Sequence, residues 1–144
     1  MSDESRPAQP ADVLAAVDST IAATTRCTGL TLALALNYSS RAEITDAVRS
    51  IARKVAAGTM TPDAIDEQTI SDHLYTAGLP DPDLLIRTAG ELRISNYLLW
   101  QISYAEMYVA DAFWPEFNVP ALHKALAAFA ARNRRFGALD DSNS

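Results

Sequence analysis

The sequence predicts an α/β fold: a mostly parallel sheet with helices on both faces. Three observations carry that expectation. Short apolar runs such as "LTLALALNY" and "DLLIRT" have the length and bounds of strands covered on both faces. They alternate with segments of helical period, and such alternation in one sheet implies right-handed crossovers. Finally, 144 residues with 49% hydrophobic and 21% charged side chains suffice for one domain with a real core.

Each element has a local reason. Residues 1–11, beginning "MSDESRPAQP", are polar and read as a flexible leader. From Asp12, Leu14, Val17 and Ile21 recur at three- and four-residue spacing, predicting a short amphipathic helix that ends near "TTRCTG". "LTLALALNY" is the first predicted strand, with Leu32, Leu34 and Leu36 on one face and Thr31, Ala33 and Ala35 on the other. "SSRAEITDAVRSIARKVAAG" is the clearest helix: Ser40 and Glu43 fit a capping box, Ile44, Val48, Ile51 and Val55 form a stripe, and Gly58 marks the stop.

"TPDAIDEQTISDHLYTAGLP" predicts one or two short helices, with Thr61 capping and Pro62 at the first helical position. "DLLIRT" is the second strand, "SNYLLWQISYAE" a helix capped by Ser95, and "MYVAD" a short third strand. "VPALHKALAAFAARNRRFG" is a terminal helix whose Arg132, Arg134 and Arg135 suit the negative end of its dipole. Residues 140–144 are a polar tail. Three strands make a thin sheet, so it reads as incomplete.

A formal net charge of −6 argues against nucleic-acid partners, because phosphate neutralisation needs lysines and arginines in excess. No run approaches the roughly 18 apolar residues of a membrane span, and the opening lacks the regions of a signal peptide. A cytoplasmic location is expected, with proximity to a membrane surface left open. The single Cys27 reads as a small buried hydrophobe, and Trp100, Tyr104, Trp114 and Phe117 as core or dimer-interface aromatics. His73 and His123 have no partner at metal-ligand spacing, so no zinc site is expected.

The stretch "DPDLLIRTAGELRISNYLLWQ" carries the chemistry. In parallel sheets, ligands bind beyond the carboxyl ends of the strands, where the next helix presents unpaired N–H groups and a partial positive charge. Arg87 sits at such an end, Gly90 permits a tight turn, and Arg93 and Ser95 come next. Two guanidinium forks beside a helix start match a phosphate or diphosphate. The competing reading pairs both arginines with Asp81, Asp83 or Glu91 on a solvated rim.

"DPDLLIRTAGELRISNYLLWQISYAEMYV", with "FWPEF" and the terminal "RNRRFG", closely resembles the C-terminal signature of cis-prenyltransferases, the isoprenyl transferases that include undecaprenyl diphosphate synthase. "TGLTLALALNYSSRAEITDAV" is similar to the family's internal "NYGGR" segment, with Ser39 and Ser40 in place of the paired glycines. The resemblance assigns residues 12–139 to the C-terminal part of the family's domain, incomplete relative to the family fold.

The resemblance implies condensation of isopentenyl diphosphate with an allylic diphosphate, using Mg2+, to a Z-polyprenyl diphosphate. It implies that Arg87, Arg93 and Ser95 hold the diphosphate of isopentenyl diphosphate and that Glu106 is the metal-associated glutamate. Arg135 and Gly137 match the RxG element that reaches a neighbouring subunit, so a homodimer, or a heteromer with a complete subunit, is expected. Asn37 and Arg41, where a strand enters a helix, are candidates to line the cleft.

Glu106 lies eleven residues past Ser95. A continuous helix would separate them by roughly 16 Å, which favours a carboxylate that serves a partner chain. The family's catalytic aspartate, in an "MDGNxR" motif, is absent from these residues, so no catalytic residue is assigned. The isolated chain is therefore expected to be inactive. The alternative is a non-catalytic accessory subunit, or a remnant, that binds a diphosphate or a partner chain.

Overall fold

The computed structural model describes residues 10–132, which divide into two compact units, one ending at Leu79 and the other beginning at Pro80. The first unit contains α1 (Ala11–Thr24), α2 (Ser40–Ala56), a 3-10 turn at Pro62–Ala64 and α3 (Glu67–Ser71). The second contains β1 (Leu84–Arg87), β2 (Glu106–Val109), a 3-10 turn at Trp114–Glu116 and α4 (Val119–Ala130).

In the first unit, α2 is the organising element. Its N-cap is Ser39, whose Oγ accepts the Ala42 N–H at 3.4 Å, one residue earlier than the expected cap at Ser40. With the cap at Ser39, Glu43 falls one position past N3. Its side chain is fully buried and accepts the Tyr75 N–H at 2.8 Å and the Tyr38 hydroxyl. That draw turns Ser40, Glu43, Ala47 and Ile51 inward, spaced as one helical face. The expected stripe keeps only Ile51 among these, and Val48 is exposed.

The two short helices after α2 form as predicted, although Thr61 makes no side-chain cap. Asp66 supplies the capping box instead, accepting the Thr69 N–H at 2.7 Å. Leu74, just past the end of α3, is buried.

Residues 30–36 correct the first predicted strand. They form no strand and pair with none among the described residues, and Leu30 and Leu32 are 96% and 76% exposed. An apolar run becomes a strand only when a neighbour satisfies its N–H and C=O groups and covers its faces. Cys27, just before it, is exposed rather than buried.

In the second unit, β1 and β2 pair in parallel, with Leu84 opposite Glu106 and Arg87 opposite Val109. The crossover between them is long enough for a parallel pair. It is not the expected helix. Ser95, Asn96 and Leu98 have φ of 54°, 60° and 47°, a region that ends a right-handed helix built of L residues. Gln101 and Ile102, further along this segment, are both buried. The chain there runs as turns, with the Ile102 N–H on the Leu98 carbonyl at 3.0 Å.

α4 packs against β2 and buries Ala125 completely. Asn118 caps it, accepting the Ala121 N–H at 3.1 Å, and Pro120 stands in its first turn, where a missing N–H costs nothing. Of the four aromatics, Trp100 and Phe117 are half-buried while Tyr104 and Trp114 are exposed; Trp114 stacks on Phe117 with ring centroids 6.2 Å apart.

Candidate functional site

The carboxyl end of β1 leads into a turn stitched to the segment that leaves β2. The Ala110 N–H donates to the Arg87 carbonyl at 2.7 Å, Gly90 N–H to Ala110 at 3.0 Å and Ala89 N–H to Ala112 at 2.9 Å. Ala89 and Gly90 both have φ of 64°. Glycine adopts that conformation without penalty and alanine does not, so the turn holds local strain that these three bonds must overcome.

Beyond the turn, Glu91 projects its carboxylate between two guanidinium groups. Arg87 Nη2 donates to Glu91 Oε2 at 2.5 Å and Arg93 Nη2 to Glu91 Oε1 at 2.6 Å. Arg87 Nη2 also lies 3.4 Å from Ser95 Oγ. Arg87 Nε is buried and has no hydrogen-bond partner among the described residues. Both sequence readings are visible here. The two arginines and the serine gather at one point, as an anion site requires, and the occupant is Glu91, one of the carboxylates the rim reading named.

The helix start expected to add its dipole is not formed, because Ser95 and Asn96 sit in the left-handed region. The convergence therefore rests on side chains and the pinned turn alone.

Glu106 is not brought to this point. It opens β2 opposite Leu84, while Arg87 ends β1 opposite Val109. Three residues of strand separate the two levels, about 10 Å. Glu106 Oε2 pairs with Arg132 Nη1 at 3.3 Å, and the same guanidinium donates to the Met107 carbonyl at 3.0 Å. Among the described residues no group of three or more histidines, cysteines or carboxylates stands ready to hold a metal.

Asn37, with φ of 52°, and Arg41, in the first turn of α2, belong to the first unit, and both are exposed. Arg135 and Gly137 lie outside the described residues. Sequence reading named Glu91 only as one of three carboxylates that could pair with the arginines, and it missed the Arg132–Glu106 pair. Only the first had a local signal, a carboxylate four residues after one arginine and two before the other.

A family model described as undecaprenyl diphosphate synthase (Prenyltransf) matches residues 5–137. The chain belongs to that family. The isoprenyl transferase of Porphyromonas gingivalis (strain ATCC BAA-308 / W83) is 51% identical over 128 residues, covering 89% of this chain and 50% of that protein. The isoprenyl transferase of Streptococcus thermophilus (strain CNRZ 1066) is 48% identical over 132 residues, covering 89% and 53%. The crystal structure of lavandulyl diphosphate synthase from Lavandula x intermedia, in complex with dimethylallyl diphosphate, superposes with a TM-score of 0.87 at 40% identity. That match covers 95% of this chain and 58% of the synthase. The chain thus spans about half the length of the relatives it matches. The family resemblance read from the sequence is borne out, and so is the α/β class with a parallel sheet.

Proposed function

We propose that this chain provides the isopentenyl diphosphate half of a cis-prenyltransferase site, in which isopentenyl diphosphate condenses with an allylic diphosphate to a Z-polyprenyl diphosphate. The observation that supports this most is the meeting of Arg87 and Arg93 on a single carboxylate, with Ser95 Oγ 3.4 Å from Arg87 Nη2. A guanidinium fork that accepts a carboxylate accepts a phosphate with the same geometry, and more strongly for the higher charge. The chain's part is to bind and orient one reactant. Holding it fixed converts an encounter into an intramolecular step.

Mg2+ commonly binds through one or two carboxylates together with substrate phosphates, so a lone Glu106 suits it as the protein ligand once Arg132 releases it. When bound, the ion neutralises charge on the diphosphates. The position of Glu106 at the other end of the sheet from Arg87 fits a carboxylate that serves a neighbouring subunit, in a homodimer or a heteromer with a complete subunit. Arg135 and Gly137 would complete that neighbour's site, and Asn37 and Arg41 would line the cleft. The setting is cytoplasmic, close to the membrane that takes up the lipid product; no helix of the described residues is long and apolar enough to cross a membrane.

The allylic half of the chemistry has no counterpart here: no Asp-Gly pair occurs in the sequence. We therefore assign the isolated chain negligible turnover. A second reading, an accessory subunit, is favoured by the exposed Leu30, Leu32, Leu34 and Leu36, which a partner chain would cover.

Two assays test this. Radiolabelled isopentenyl diphosphate should bind the purified chain in equilibrium dialysis and fail to bind Arg87→Ala. No product longer than the primer should form with an allylic diphosphate and Mg2+. Absence of binding by the folded chain would refute the site, and Mg2+-dependent elongation would refute the half-site.

A further inference from the structure

We infer that Glu91 is a positioning residue for the diphosphate, holding two like-charged guanidiniums in one geometry before the ligand arrives. The inference rests on the reading of Arg87, Arg93 and Ser95 as the diphosphate cluster.

Each carboxylate oxygen takes one arginine, at 2.5 and 2.6 Å, so the bridge uses a single nitrogen of each fork. Without it, two positive groups on long stems repel one another and spread over many rotamers. With it, the remaining donors stay aimed together. Arg93 is 69% exposed and keeps its other nitrogens toward solvent. Ser95 Oγ accepts from Arg87 and keeps its own proton to donate. Glu91 is itself placed by the turn, whose Ala89 and Gly90 amides are tied to Ala112 and Ala110. The strain at Ala89 thereby acquires a purpose: the turn sets where the bridging carboxylate stands.

Simple electrostatics makes the opposite prediction. A negative group beside an anion site opposes the anion, so its removal should tighten binding. Preorganisation says that removal weakens binding, because the ligand must then immobilise both side chains itself. The sign of the change decides.

The experiment is calorimetric titration of the purified chain with inorganic pyrophosphate, for the wild type, Glu91→Gln, Glu91→Ala and Arg93→Ala, with circular dichroism melts as the folding control. The expected result is binding by the wild type, loss in Arg93→Ala, and affinity weakened about tenfold in both Glu91 variants, each of which still melts cooperatively well above the titration temperature. A parallel readout is rotation of the arginine guanidiniums by 15N NMR. It should be slow for Arg87 and Arg93 in the free wild type and fast in Glu91→Gln. Binding in Glu91→Gln that equals or exceeds the wild type, while Arg93→Ala still abolishes it, overturns the positioning role and leaves the diphosphate reading standing. If no folded form binds pyrophosphate, the diphosphate reading fails and the positioning role falls with it.

Discussion

Glu43 and Glu91 each join two donors, in different units of the molecule, and their surroundings give them different work. Glu43 is fully buried in the first unit and accepts a backbone N–H and a phenol, both neutral. Burial of a carboxylate is tolerated only where hydrogen bonds replace water, so this side chain ties the start of α2 to Tyr75 and nothing is free to displace it. Glu91 is more than a third exposed and accepts two cations at the mouth of the β1 turn. Its pairs are screened by water, so they contribute little to stability, and each uses a single nitrogen of its guanidinium. The same residue type is a strut inside a core in one place and a brace between two surface cations in the other.

That contrast breaks first at Glu43. Glu43→Ala removes the acceptor for two donors and opens buried volume, and should lower stability by about 3 kcal/mol in urea unfolding followed by circular dichroism. A loss under about 1 kcal/mol would mean the buried carboxylate holds nothing together. Ile51→Ala, on the same face of α2, should cost about 2 kcal/mol by the lost transfer term and the cavity. Glu91→Ala should cost about 0.5 kcal/mol in the same assay, as exposed ion pairs do. A destabilisation as large as that of Glu43→Ala would erase the distinction.

The smallest effect sharpens the first unit further. Asp46 titrates below the usual carboxylate range, chiefly because the Tyr75 hydroxyl donates to it at 2.5 Å, with the Arg49 pair at 3.1 Å adding to the shift and desolvation opposing it. A depressed carboxylate gives stability that is fully present above its unfolded pKa, about 3.9, and lost as pH falls through the folded value. The stability difference between wild type and Tyr75→Phe should therefore shrink as pH drops from about 5 to about 2, by a few tenths of a kcal/mol at this exposed site. A difference that stays constant across that range would assign the Tyr75 effect to packing on Tyr38 instead.

Local patterns announced α2, the short helices after it, β1, β2 and α4, because each carries its own period, cap or bounded apolar run. The features that escaped a sequence reading depend on partners far along the chain. The face that α2 buries is set by Glu43 reaching Tyr75, thirty-two residues on, a distance that no periodicity records. Residues 30–36 have the composition of a strand and, among the described residues, lack a neighbour to make them one. The stretch from Ser95 has helix-forming residues, yet the left-handed backbone at Ser95, Asn96 and Leu98 breaks it into turns, which no local pattern announces. For the site, spacing and family likeness singled out Arg87, Arg93 and Ser95, and spacing left open whether the two arginines face a bound anion or Glu91, on which they meet here.

The central claim is that Arg87 and Arg93, held side by side by Glu91, take one diphosphate between them. Side-chain 15N NMR of the two guanidiniums during titration with isopentenyl diphosphate tests it most directly. Both signals should move together on a single saturable curve. If only one moves, or the two trace different curves, the arginines do not share a ligand and the site does not exist as described.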